Sequence, residues 1–181
     1  MADRIVEEEI TEVPEIDETL ERVLLYVIDD ARTKMEEGGE VVPFTALVVN
    51  ENLFIESHPG ESAEECFAAA RHTVEHARGA GAYAFCYDGY IDTDDGMKDC
   101  IIAEGGLPGE PDGVAVGLMY TVSEDGDKIT FEEETAYIGE APNYMSGLTE
   151  PTEEEAAALE EETDERFQSE DEGVVAAEEE E

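Results

Sequence analysis

Basic residues are scarce in this chain, and long apolar runs are missing. Nine lysines and arginines stand against 51 aspartates and glutamates in 181 residues, a formal charge of -42. Nucleic acid and anionic membrane surfaces both need basic patches to displace counterions, so neither is an expected partner. No stretch approaches the roughly 18 apolar residues of a membrane-crossing helix. Met1 to Ile10 is acidic and lacks the apolar centre of a secretory signal, so the expected location is the cytoplasm. Tryptophan is absent, which removes the strongest stacking platform for a base or sugar. The three cysteines, Cys66, Cys86 and Cys100, form no CxxC and no zinc-type spacing, and read as reduced, buried thiols. GxSxG is missing, as is a GxGxxG that opens a helix. No cofactor is implied.

What is present is acid, and it is not confined to one tail. Residues 150–181 hold 16 acidic residues and one basic residue, Arg166, yet the first 149 still carry 35 acids against eight bases. Lysine occurs only as Lys34, Lys98 and Lys128. Such a body repels itself at low ionic strength and is relieved where the Debye length falls to ~3 Å, near 1 M salt. The composition resembles that of proteins from a high-salt cytoplasm.

Three segments follow from the pattern. Residues 1–13 form an acidic arm, 14–148 a single domain, and 149–181 a Glu/Ala-rich tail. Ile16, Leu20, Val23, Leu24, Val27, Ala31 and Met35 recur at helical spacing over about 15–37, and Gly38-Gly39 ends that helix. An apolar run from Val41 to Val49 and a strand at Leu53–Ser57 make a hairpin. Ser62 and Glu65 form a capping box for a second helix over about 63–79. Strands are expected at 82–92, 97–104, 114–123 and 128–138, with turns at Asp95-Gly96 and Asp125-Gly126. The result is an α+β fold, two helices on a mostly antiparallel sheet of about six strands in the order α-β-β-α-β-β-β-β. In the tail, Thr152 and Glu155 cap a weak helix over 152–168, with disorder beyond. This order of elements is similar to that of profilin-like and roadblock-like scaffolds, and the likeness implies a dimeric adaptor.

A two-residue Asp95-Gly96 turn sets opposed residues so that their numbers sum to 191. One face then carries Tyr83, Phe85, Tyr87, Ile91, Cys100 and Ile102; the other carries Ala84, Cys86, Tyr90, Ile101 and Ala103. Both faces are apolar and both need cover. A homodimer through the aromatic face is expected; the competing arrangement puts one helix on each face, or the tail helix on the aromatic one.

Four groups invite a chemical reading. His72, Glu75 and His76 match HxxEH, but the helical wheel turns both imidazoles away from the Phe67/Ala70/Val74 stripe, so they read as a decoy on a wet face. Asp92, Asp94, Asp95 and Asp99 cluster at a turn, with Asp92 set opposite Asp99; this is a weak cation candidate that fails the EF-hand spacing. Asp88 and Glu104 interrupt apolar strands and are weak catalytic candidates, placed by alternation on opposite faces. The Gly105–Gly109 segment, with no lysine and no following helix, is a lid candidate and no phosphate cradle. The leading expectation is a non-enzymatic adaptor or accessory protein that self-associates, with a possible further protein partner. Behind it stand a small hydrolase or isomerase using Glu104 or Asp88, and then a metal-binding protein.

Overall fold

A computed structural model describes residues 16–94 and 96–162. The acidic arm 1–13, Asp95 and the end of the tail from 163 lie outside the described residues. The first helix, α1 (Glu18–Glu36), begins where the Asp17 carboxylate accepts from the amides of Thr19 and Leu20, satisfying donors that have no intrahelical partner. It ends at Gly38, whose φ of 88° few other residues adopt. Strands β1 (Phe44–Val49) and β2 (Asn52–Ser57) form a hairpin closed by Asn50 at φ 57°. Helix α2 (Ala63–Glu75) starts at Ser62, whose hydroxyl accepts from the Glu65 amide. It stops four residues short of the expected end, and the chain reverses through Gly79 at φ 112°.

Then come β3 (Ala82–Thr93), β4 (Gly96–Gly106), β5 (Asp112–Val122), β6 (Ile129–Phe131) and β7 (Ala136–Pro142). A third helix, α3, spans 153–162, and Thr152 and Glu155 cap it reciprocally at 3.1 Å each way. The protein is thus α+β, with three helices on one antiparallel sheet of order β2-β1-β3-β4-β5-β6, β7 lying beside β6 along β5.

Three expectations need correction. Thr93 pairs with Gly96, so opposed numbers in β3 and β4 sum to 189 and not 191. Gly96, at φ 105°, is the first residue after the turn, and Thr93 Oγ1 donates to its carbonyl at 2.7 Å. A slip of two keeps every side chain on its face, but Asp92 now opposes Met97 and Asp99 opposes Tyr90. Second, the single strand at 128–138 is two, which brings the sheet to seven. The acidic run Glu132–Glu134 leaves the ladder and the chain re-enters at Ala136, with a further register shift at Ala115/Val116. Third, Gly105 and Gly106 belong to β4 instead of a loop. A Cβ on Gly105 would meet the Tyr83 carbonyl and the Leu20 and Leu24 side chains, so glycine lets α1 lie directly on the strand.

The helices take opposite faces. On the first, α1 buries Leu20, Val23, Leu24, Val27, Ile28 and Ala31 against Phe44, Ala46, Ala84, Cys86, Ile101 and Ala103. The alanines in that floor permit close approach. On the second, α2, Tyr144, Met145 and α3 cover Leu47, Val49, Tyr83 and Phe85. Gly79 is where α3 docks, since a side chain there would run into the Glu155 carbonyl. The aromatic end of the second face is therefore covered from within the chain. Over β4, β5 and β7 the same face carries Cys100, Ile102, Ala115, Gly117, Met119 and Ile138, and among the described residues no helix packs on them.

Candidate functional site

The β3–β4 hairpin positions both in-strand carboxylates. Asp88 lies opposite Ile101 and Glu104 opposite Phe85, so the two acids point to different faces of one hairpin. Each accepts a hydrogen bond from a phenol: Tyr120 donates to Asp88 Oδ1 at 2.6 Å, and Tyr87 donates to Glu104 Oε2 at 2.6 Å. Burial, reinforced by the bond to a carboxylate, pushes both phenols well above their usual range. Asp88 is raised too, because partial desolvation outweighs the Tyr120 bond and Asp99 adds repulsion. The arrangement holds two strand carboxylates in place without bringing them together.

The remaining candidates are dispersed. His72 and His76 sit exposed on α2 with ring centroids 4.1 Å apart, and the His76 Nδ1 lies 2.8 Å from the His72 carbonyl oxygen. Glu75 is turned to Arg71, 2.9 Å away. Arg78 reaches Glu155 at 3.0 Å and so ties α3 to the end of α2. Asp92, Asp94 and Asp99 are exposed, and Asp95 lies outside the described residues. Among the described residues no group of three or more histidines, cysteines or acids is placed to hold a metal ion. The cysteines are free thiols, all buried, and desolvation raises Cys86 well above the usual thiol range and Cys100 to about 12.

The turn after β4 is fastened. Asn143, itself buried, donates through Nδ2 to the Leu107 and Glu110 carbonyls at 2.8 Å each and accepts from the Met145 amide at 2.9 Å. Gly109 donates its amide to the Met145 carbonyl at 2.9 Å. Beside this turn open two adjoining clefts of about 570 and 460 Å³ that share Asp17, Leu107 and Glu110. Further carboxylates line them, and among the described residues neither a lysine nor an arginine does, so an anionic substrate meets repulsion in both. Neither Asp88 nor Glu104 lines these clefts.

One constellation escaped the sequence reading. Thr45 Oγ1 lies 2.9 Å from His58 Nε2, and His58 Nδ1 lies 3.9 Å from Glu56 Oε2, an order that mimics nucleophile, base and carboxylate. Thr45 and His58 are 0 % and 4 % exposed, so no substrate reaches the hydroxyl. The group braces the open end of the β1–β2 hairpin, where the His58 amide also donates to the Pro43 carbonyl at 2.7 Å. The available signal was the hairpin register, which pairs Thr45 with Glu56 two residues before His58.

Beyond Cys86 the hairpin becomes an arm. β1 pairs only with Ala82–Cys86 of β3, while β3 and β4 continue to Thr93 and Gly96. On the first face the arm carries Asp88, Tyr90, Asp92, Met97 and Asp99, with Tyr90 64 % and Met97 60 % exposed. On the second it carries Tyr87, Gly89, Ile91, Lys98 and Cys100. Comparison with protein-family models, with curated proteins and with solved structures finds no match to this chain. No helix among the described residues is long and apolar enough to cross a membrane.

Proposed function

We propose that this chain is a non-enzymatic cytoplasmic adaptor or accessory protein that pairs with a second copy through the helix-free part of its second sheet face. One observation carries this reading. In a chain of net charge -42, the region where half-buried Ile91, Met119 and Ile138 surround buried Cys100 and Ile102 holds no free run of acids. Its charges are Lys98 and Glu104, the latter bonded to Tyr87. Two equally acidic copies repel wherever carboxylates face each other, so a flat, apolar, nearly uncharged patch is where they meet at least cost. The enzyme readings fall behind because both strand carboxylates are bound by phenols and stand away from the acidic clefts.

Light scattering of the purified protein at about 1 M salt, where charge repulsion is screened, is expected to give a dimer at micromolar concentration. Ile138→Glu is expected to give a monomer of unchanged fold by circular dichroism. A wild-type chain that stays monomeric throughout that range ends the self-association reading.

A further inference from the structure

The arm leaves one strand edge open, and its chemistry specifies what fits there. β1 stops pairing with β3 at Phe44–Cys86, and Pro43 before it turns its carbonyl to His58 on the β2 side. From Tyr87 to Asp92, β3 is paired on its β4 side alone among the described residues. The tight closure of Thr93 onto Gly96 directs the backbone groups of Thr93, Ile91 and Gly89 to β4, and strict alternation turns those of Asp88, Tyr90 and Asp92 outward. The Pro43 carbonyl, by accepting from His58, places the neighbouring Phe44 groups toward β3 and gives the same phase from the other strand. The open amides and carbonyls thus belong to the residues whose side chains form the acidic face of the arm.

An open edge attracts further strands. A second copy of this chain is a poor guest: antiparallel pairing about Tyr90 would set Asp88 of each copy beside Asp92 of the other. A strand with cations at those positions is complementary. We propose that Tyr87–Asp92 is a docking edge for an extended segment of a different protein, basic on the face beside Asp88 and Asp92 and apolar on the face beside Gly89 and Ile91. The segment adds antiparallel to β3 in the line that β1 vacates at Pro43. Main-chain bonds to Asp88, Tyr90 and Asp92 supply affinity, the two aspartates select lysine or arginine, and exposed Tyr90 offers a ring face to a cation between them. This inference rests on the adaptor reading and deepens it by naming the partner's chemistry; it uses the strand edge, and the apolar side of the guest borders the dimer face at Gly89 and Ile91.

The test uses the full chain and a labelled peptide of about eight residues alternating lysine and valine, followed by fluorescence anisotropy near 0.15 M salt. In the proposed register the lysine amides face β3 and the valine amides face away. Methylating two lysine backbone nitrogens is expected to weaken binding by about tenfold or more, and methylating two valine nitrogens by less than about threefold. A glutamate–valine peptide is expected not to bind, and Asp92→Lys is expected to lose the lysine peptide. No binding by the unmodified peptide, or equal binding by both methylated forms, overturns the proposal, the second because charge attraction alone would then explain it. Light scattering on the same samples reports self-association separately, so loss of edge binding with the dimer intact counts against the edge alone.

Discussion

The two faces of the sheet solve the same problem in different ways. The first is sealed by one long helix over a floor of small residues, Ala46, Ala84 and Ala103, with Gly105 beneath Leu20 and Leu24. Among the described residues the second is covered piecemeal by α2, the Tyr144–Met145 segment and α3, over β1, Phe54 of β2 and the first half of β3. Acid follows cover. Where α1 ends, the first face continues as Asp88, Asp92 and Asp99, whereas the helix-free part of the second face stays apolar. Charge repulsion acts over the whole surface, so the place where acids are withheld is more informative in this chain than the places where they accumulate.

The contrast makes its largest test at paired core truncations. Leu24→Ala removes a side chain that is 1 % exposed under α1 and is expected to cost about 3 kcal/mol in urea unfolding. Met119→Ala, on the helix-free face, should cost about 1 kcal/mol in dilute solution. A Met119 cost equal to that of Leu24 would mean that the second face is fully covered; if that cost also grew with protein concentration, the cover would be another copy.

A smaller effect separates the glycines. A methyl at Gly105 meets the Tyr83 carbonyl, which is backbone and cannot step aside, so Gly105→Ala is expected to lose about 2–3 kcal/mol. A methyl at Gly117 meets the Cys100 sulfur at 2.5 Å and the end of Ile138 at 2.7 Å. Both are side-chain atoms, and Ile138 is only half-buried, so Gly117→Ala should cost nearer 1 kcal/mol. Thermal unfolding of the pair measures the difference. Equal losses would show that the second face is packed as rigidly as the first.

The assignment of residues to faces was legible because it depends only on parity. An error of two in the β3–β4 register left Tyr83, Phe85 and Tyr87 together and Ala84 and Cys86 together. The register itself was not legible. Thr93-Asp94-Asp95-Gly96 offers more than one place to close a tight turn, and the choice is made by Thr93 bonding the Gly96 carbonyl. Helix starts were readable from Ser62 and Thr152 because capping is local. The phenol–carboxylate bonds join residues 17 and 32 positions apart, and only the full β3–β4–β5 register brings them together. The break at Glu132–Glu134 was hidden for a related reason: a strand at a sheet edge can leave and rejoin its ladder without losing its alternation.

The smallest test concerns Asp88 on the first face. Partial burial raises the Asp88 carboxyl above its unfolded value despite the Tyr120 bond, so between the two values the folded chain holds a proton that the unfolded chain has lost. Stability from this group is therefore greatest at low pH and falls as pH rises through that window. Asp88→Asn removes the loss while keeping an oxygen to accept from Tyr120. The variant should melt slightly above wild type at neutral pH, by about 0.5 kcal/mol for a group open to solvent on one side, with the gain vanishing near pH 4. Relief of general repulsion would also stabilise, so Glu132→Gln, at an exposed acid, provides the baseline. Equal pH profiles for the two variants would show that bulk charge governs this face; a steeper one for Asp88→Asn places the cost in the strand, beside the open edge.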